Sequence, residues 1–169
     1  SVFTPEIYNP YTQTTQEMSN AYFRRNYHGS SLLLPDGRIL TAGGDVWNAE
    51  IFYPPYLFTK DKNGVITLAK RPKIKKIKRI ITQNDRSNLR ISVENNQNIK
   101  KISLLSTGSK THGQASEAKI VFLDFEVSDN SEIKVKIPKN KSFIQNGTYM
   151  IFVINNRDVP SRGMVITLK

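Results

Sequence analysis

The spacing of turn residues along this chain constrains its fold more than any other feature. Gly, Pro, Asn and Asp interrupt the apolar runs about every 8 to 12 residues. No window of about 12 residues repeats its apolar side chains at the helical period. Several runs instead alternate apolar with polar residues, as at Leu89, Ile91 and Val93. Alternation places the apolar side chains on one face of a strand. The sequence therefore predicts an all-β protein.

The predicted strands divide into two groups near residue 70. Residues 59–72 are polar, carry the turn signal Asn63-Gly64 and end at Pro72, so we predict one domain over residues 1–69 and a second over residues 70–169. Because the chain has no cysteine, packing without disulfides must hold both domains. The second domain contains short strand candidates that favour an immunoglobulin-like β-sandwich: 73–81, 88–94, 99–106, 119–127, 131–137, 148–155 and 162–168.

The first domain contains an internal repeat. PEIYNP at residues 5–10 recurs 44 residues later as AEIFYP at residues 49–54, a period found in propeller blades. Between the two copies lie an apolar run, the turn at residues 35–37, and a second run that ends in Gly43-Gly44. This order predicts an incomplete kelch-type β-propeller: its last blade, and the outer strand before it. We expect Trp47, the only tryptophan, to pack within that blade; the alternative is a position near a substrate channel.

The formal net charge is +11, and the densest basic stretch is KRPKIKKIKR at residues 70–79. Such a stretch suits an anionic partner, but Ile74, Ile77 and Ile80 or Ile81 interrupt it as core-facing residues would. Neither a recognition helix nor a group of exposed aromatic residues accompanies it. The sequence therefore favours a solvated strand face over nucleic-acid contact.

We also find no run of about 18 apolar residues that would span a membrane, and no signal-peptide pattern.

Tyr27 and His28 are neighbours at the start of an apolar run. Adjacent residues of a regular strand point to opposite faces, so both can act at one point only where the pleat is broken, for which Gly29 leaves room. His112, the other histidine of the chain, lies in the polar loop STGSKTHGQAS. Imidazole and phenolate groups are possible metal ligands. The alternatives are surface or capping histidines, and a Tyr27-His28 pair that only closes a hydrogen-bonded corner.

Five stretches together resemble the carboxy-terminal part of the galactose oxidase and glyoxal oxidase family: RRNYHGSSLLLPDGRILTAGG, AEIFYPPYL, RPKI, TGSKTHG and GTYMIFVINNRDVPSRG. The resemblance implies a kelch propeller followed by an immunoglobulin-like E-set domain, with copper near the propeller axis. It assigns Tyr27 as the axial copper ligand and general base, and His28 and His112 as further copper ligands. It also implies a secreted, extracellular protein.

The sequence departs from this family because it has no cysteine, and the family's radical cofactor joins a cysteine to a tyrosine. We therefore expect a fragment of a copper radical oxidase, which oxidises a primary alcohol or aldehyde with O2 to give H2O2, and expect the fragment alone to be inactive. Its partners would be the remaining propeller blades or another copy of the chain. The alternative is a non-catalytic sandwich that binds carbohydrate or acts as an interaction module. Carbohydrate binding needs exposed aromatic residues, whereas Tyr149 and Phe152 have a core pattern.

Overall fold

The computed structural model describes residues 3–94, 98–111, 114–116, 118–129 and 131–169. Their regular structure is almost entirely strand, which confirms the all-β prediction. The amino-terminal strands are β1 (Glu6–Asn9), β2 (Thr14–Glu17), β3 (Gly29–Leu33), β4 (Ile39–Gly43), β5 (Ala49–Phe52), β6 (Phe58–Lys60) and β7 (Ile66–Leu68), with a 3-10 turn at Pro55–Leu57.

The longest and best-buried strands lie in the carboxy-terminal part of the chain. The strands of this part are β8 (Lys73–Ile77), β9 (Ile80–Ile81), β10 (Leu89–Glu94), β11 (Ile99–Ser106), β12 (Ser109–Thr111), β13 (Gln114–Ser116), β14 (Ile120–Phe122), β15 (Asp124–Asp129), β16 (Glu132–Lys136), β17 (Gly147–Asn155) and β18 (Met164–Leu168), with a 3-10 turn at Asp85–Asn88. Within the described residues, no helix is long and apolar enough to cross a membrane.

The amino-terminal part is a hairpin, β1–β2, beside an antiparallel sheet of β3, β4 and β5. Residues 35–37 form the predicted tight turn between β3 and β4, where Gly37 has a positive φ of 84° and its N–H donates to the Leu34 carbonyl. The segment that we predicted as a domain boundary is largely a second hairpin, β6–β7. Gly64, at its turn, has a φ of 85°, as the Asn63-Gly64 signal predicts.

The carboxy-terminal part is a sandwich of two sheets, with strand orders β15-β16-β10-β8 and β14-β11-β17-β18-β9. Its core is formed by the inward-facing aliphatic side chains of both sheets, including Ile91, Ile102 and Ile151, which are fully buried. Tyr149 and Phe152 are buried as well, as their pattern predicts. The expected immunoglobulin-like sandwich is therefore confirmed.

Two of the predicted strands each divide between the sheets. The run 73–81 breaks at Lys78 and Arg79, so that β8 joins one sheet and β9 the other. The run 119–127 breaks at the buried Leu123, which separates β14 from β15. In both runs the chain crosses from one sheet to the other at an edge, and apolar side chains face the core on both sides of the crossing.

The basic stretch forms a solvated strand face, as predicted. The lysines of β8 are exposed, whereas Ile77 and Ile81 are buried in the core. Ile80, which the sequence left as an alternative to Ile81, is half exposed. Lys75 of β8 pairs with Glu94 of β10 at 2.6 Å, so part of the positive charge is balanced across the strands.

Arg71 joins the amino-terminal sheet to the sandwich. Its guanidinium donates to the Asp36 carbonyl at 2.6 Å, and to the carbonyls of Pro160 and Ser161, both at 2.7 Å. Asp36 belongs to the turn that follows β3, whereas the other two carbonyls precede β18. The three hydrogen bonds fix one end of the β3-β4-β5 sheet against one end of the sandwich.

Candidate metal centre

Tyr27 and His28 lie in a turn before β3. His28 has a φ of 65°, in the left-handed region that a residue with a side chain rarely adopts. The Gly29 N–H donates to the Asn26 carbonyl at 3.1 Å and closes the turn. The predicted break in the pleat is therefore present, but it lies at His28 itself rather than at Gly29. Because of this break, β3 begins only at Gly29.

The turn brings the two predicted side chains together. The ring centroids of Tyr27 and His28 are 3.9 Å apart and their planes are tilted by 33°. Tyr27 is 71% exposed, and His28 is also exposed. Two consecutive exposed side chains thus lie with their rings together, which a regular strand does not allow.

The paired glycines at the end of β4 make room for this turn. A Cβ added at Gly43 would lie 2.7 Å from the His28 carbonyl oxygen, and one at Gly44 would lie 3.2 Å from the Asn26 nitrogen. Gly43 also has a φ of 79°, which favours glycine. The Gly43-Gly44 pair is recognisable in the sequence. Its role follows only from the structure, in which the turn of Tyr27 and His28 packs against it.

The buried guanidinium of Arg25 stabilises the turn of Tyr27 and His28. Arg25 donates to the Gly43 carbonyl at 3.0 Å and to the Asn48 side-chain oxygen at 2.6 Å. It also lies 3.3 Å from the Glu50 carboxylate, and the two side chains are 8% and 17% exposed. Charge-assisted hydrogen bonds of this kind are stronger than neutral ones. The sequence reasoning missed Arg25, since its partners are 18 to 25 residues away.

His112 lies outside the described residues. The strands that flank it, β12 and β13, pair as an antiparallel hairpin, and β12 lies beside β3. The hairpin therefore extends from the sandwich to the strand that begins directly after His28. This proximity is the arrangement that a shared ligand set would require, although the structure does not describe His112 itself.

The donors in the described turn fit copper as one part of a ligand set. Imidazole nitrogen and phenolate oxygen are ligands that copper accepts. Within the described residues, no group of three His, Cys, Asp or Glu side chains is arranged to hold a metal ion. A complete site thus needs donors in addition to the Tyr27 phenol and the His28 imidazole.

Trp47 does not pack within the blade, so that expectation is wrong. Its side chain is fully exposed. Other residues of the same loop make the hydrogen bonds that hold the loop in place. Asp45 accepts a hydrogen bond from the Asn26 side chain at 3.3 Å, and Asn48 accepts two from Arg25. The loop is therefore fixed beside the turn of Tyr27 and His28, and its indole remains in solvent.

Known proteins resemble this chain over nearly its whole length. The galactose oxidase-like Early set domain matches residues 71–168. A galactose oxidase of Gibberella zeae is 34% identical, over 98% of this chain and 24% of that protein. An aldehyde oxidase of Arabidopsis thaliana is 25% identical, over 95% of this chain and 29% of that protein.

A solved structure shares the fold. It is a fungal alcohol oxidase of the AA5 family in complex with copper, with a TM-score of 0.85, 24% identity, and coverage of 99% of this chain and 36% of that one. The chain therefore spans roughly a quarter of the curated relatives that it matches and about a third of this structural neighbour.

Proposed function

Since the chain belongs to the galactose oxidase-like Early set domain family, we propose that it forms the carboxy-terminal part of a copper radical oxidase. The observation that carries this proposal is the turn of Tyr27 and His28, whose rings lie 3.9 Å apart beside the strand that β12 approaches. In this role Tyr27, His28 and His112 would be the copper ligands that this chain provides.

Copper, when bound, supplies the redox chemistry for oxidising a primary alcohol or aldehyde with O2, which is reduced to H2O2. Tyr27 would be the general base that accepts the proton of a substrate hydroxyl. His28 would hold the metal through an imidazole nitrogen. The left-handed backbone of His28 keeps both side chains in place before the metal or the substrate arrives.

This chain alone is expected to lack oxidase activity. It has no cysteine, and the family resemblance requires a cysteine linked to a tyrosine for the organic radical. That cofactor would have to come from another part of a longer protein. The chain's own contribution is then three ligands and a general base.

The remaining blades of a kelch propeller, or another copy of this chain, are the partners that we propose. In the described part of the chain, β5 pairs only with β4, and its outer edge carries unpaired backbone groups. A groove of about 720 Å³ separates the sheet from the β1–β2 hairpin, and aromatic side chains such as Tyr22, Phe23 and Tyr53 line it. An additional strand or blade would cover these groups. The family resemblance further supports an extracellular location.

A non-catalytic module that binds carbohydrate or another protein is the second candidate. The exposed Trp47 favours it, since indole rings stack on sugars and dominate many interfaces. The sandwich itself gives less support, because Tyr149 and Phe152 are buried in its core.

Metal analysis after copper loading and dialysis distinguishes these functions. We expect the folded wild-type chain to retain stoichiometric copper. The His28→Ala and His112→Ala variants should lose the copper, and Tyr27→Phe should bind copper more weakly. The matched control is Tyr11→Phe, since Tyr11 is equally exposed and lies outside the turn. Folded wild-type protein without copper, or histidine variants that retain it fully, would contradict the proposal. An H2O2 assay with primary alcohols should give no turnover with the copper-loaded chain.

A further inference from the structure

A second cleft lies at the end of the sandwich away from the β12–β13 hairpin. It measures about 720 Å³ and is formed by residues 70–73, the end of β10, the start of β11 and the end of β17. Ile99, the first residue of β11, lines the cleft, whereas Ser106, the last, leads to the hairpin. An eight-residue strand spans about 25 Å. The cleft is therefore separate from the candidate metal centre.

Positive charges predominate in the lining of this cleft. Lys70, Lys73 and Arg157 line it, are exposed, and form no ion pair with any carboxylate of the described residues. Glu94, the acidic residue of the lining, is instead held by Lys75 at 2.6 Å. The hydrogen bond from Lys75, followed by the charges of Lys73 and Lys70, lowers the pKa of Glu94. The positive charges of these lysines therefore stabilise a carboxylate at the position of Glu94.

The nearby acidic groups do not cancel this charge. Asp158 pairs with Lys100 at 3.0 Å, and the Asp36 carboxylate pairs with Arg38 at 2.6 Å. Arg71, also in the lining, donates to neutral backbone carbonyls, so its charge is not neutralised. Burial, and then the charge of Arg162, lowers the pKa of Arg71. The cleft keeps a net positive charge.

Amide side chains lie among the cations. Asn98 and Asn156 line the cleft and are exposed, and the Asn156 N–H donates to the Asn98 carbonyl at 2.8 Å, which ties the two walls together. The Asn155 side chain accepts from the Arg157 N–H at 3.0 Å and fixes the turn that presents Arg157. Free amide groups donate to and accept from hydroxyl groups.

We propose that this cleft binds a carboxylate-bearing polysaccharide. The sugar carboxylates bind Lys70, Lys73 and Arg157, and the hydroxyl groups bind the side-chain amides of Asn98 and Asn156. The described lining contains no aromatic residue, whereas single-stranded nucleic acid binds by base stacking. A peptide of acidic residues would leave the amides without hydroxyl partners. The site would hold the protein on an acidic polymer whether or not the copper centre is present.

Charge reversal with a matched control tests the site. The cleft variant is Lys70→Glu/Lys73→Glu/Arg157→Glu, and the control is Lys62→Glu/Lys139→Glu/Lys141→Glu, which changes the net charge equally at exposed positions elsewhere. Binding of polygalacturonate is measured by calorimetry at a physiological salt concentration, where long-range attraction is screened. We expect the cleft variant to bind at least about tenfold more weakly and the control within about twofold of wild type.

Three further ligands identify the chemistry: polyglutamate, single-stranded DNA and a neutral polysaccharide. All should bind more weakly than polygalacturonate. Equal losses in the two variants, stronger binding of any of these three, or no binding of polygalacturonate by the wild type would overturn the proposal. Thermal unfolding and copper retention of both variants establish that the fold and the other site are intact, so that failure here is distinguishable from failure of the oxidase proposal.

Discussion

At the scale of single residues, the candidate centre depends on one left-handed backbone position. His28 has a φ of 65°, a conformation that costs about 1–3 kcal/mol and persists only where its surroundings enforce it. Gly43 provides the space and Arg25 provides the hydrogen bonds. The sequence identified Tyr27, His28 and the glycine pair. It did not identify Arg25, because nothing local distinguishes a buried arginine from a solvated one.

Replacing Gly43 by alanine should displace the turn. The new Cβ would lie 2.7 Å from the His28 carbonyl, so we expect lower thermal stability and weaker copper binding. Gly64→Ala is the matched control, since its φ of 85° carries the same backbone penalty but its Cβ would meet only the end of the Lys60 side chain at 3.4 Å. Both variants should lose stability, but only Gly43→Ala should lose copper affinity in a titration. Equal copper affinity in the two would refute the role of Gly43.

Asp85 should make stability depend on pH in the acidic range. The hydrogen bond from Lys78, and then those from Thr82, lower the pKa of Asp85 from 3.8 to about 2. The unfolded chain therefore binds the proton first as pH falls, and this contribution to stability, complete above about pH 4, is lost toward about pH 2. Thermal unfolding at a series of pH values should show a shallower decline for Asp85→Asn than for wild type. Parallel declines would contradict this assignment.

At the scale of elements, alternation predicted the sandwich strands well, including β10, β11 and β17. It did not predict that two runs pass from one sheet to the other, the first at Lys78 and the second at Leu123. The period of the side chains carries no information about which sheet a strand joins. The β6–β7 hairpin was also missed. Ile66 and Leu68 on β7 are exposed, so burial does not impose a regular pattern there. The sheet of β3, β4 and β5 was predictable from its turn and its paired glycines.

One buried arginine connects two irregular elements of the sandwich. Arg86, in the 3-10 turn before β10, is fully buried. Its guanidinium donates to the carbonyls of Pro138 and Ile144 at 3.2 and 3.0 Å, and to the Asn146 side chain at 2.9 Å. The loop between β16 and β17 therefore depends on a cation that is paired with neutral oxygens.

Arg86→Met should leave these oxygens unpaired and lower the free energy of unfolding by about 2–4 kcal/mol. The control is Arg90→Met, which removes an exposed pair with Glu132 and should cost under about 1 kcal/mol. Urea denaturation measures both changes. Similar stabilities of the two variants would show that Arg86 adds nothing beyond a surface charge.

At the scale of the whole molecule, the sandwich contacts the amino-terminal sheet at two places. Arg71 binds the Asp36 carbonyl beyond the end of β3, and β12 lies beside this strand, which Tyr27 and His28 precede. This arrangement explains how ligands that are far apart in sequence would meet. Family resemblance could predict their identities, but only the packing of the two parts shows that β12 approaches β3.

Electron paramagnetic resonance of the copper(II)-loaded chain tests the central claim most directly, because nitrogen couplings count the bound imidazoles. We predict couplings from two imidazoles in the wild type, and from a single imidazole in His28→Ala and in His112→Ala. The account would be contradicted if the wild-type spectrum did not show nitrogen couplings from two imidazoles, or if neither substitution changed the spectrum. Either result would exclude a copper centre shared by the turn before β3 and the hairpin of the sandwich.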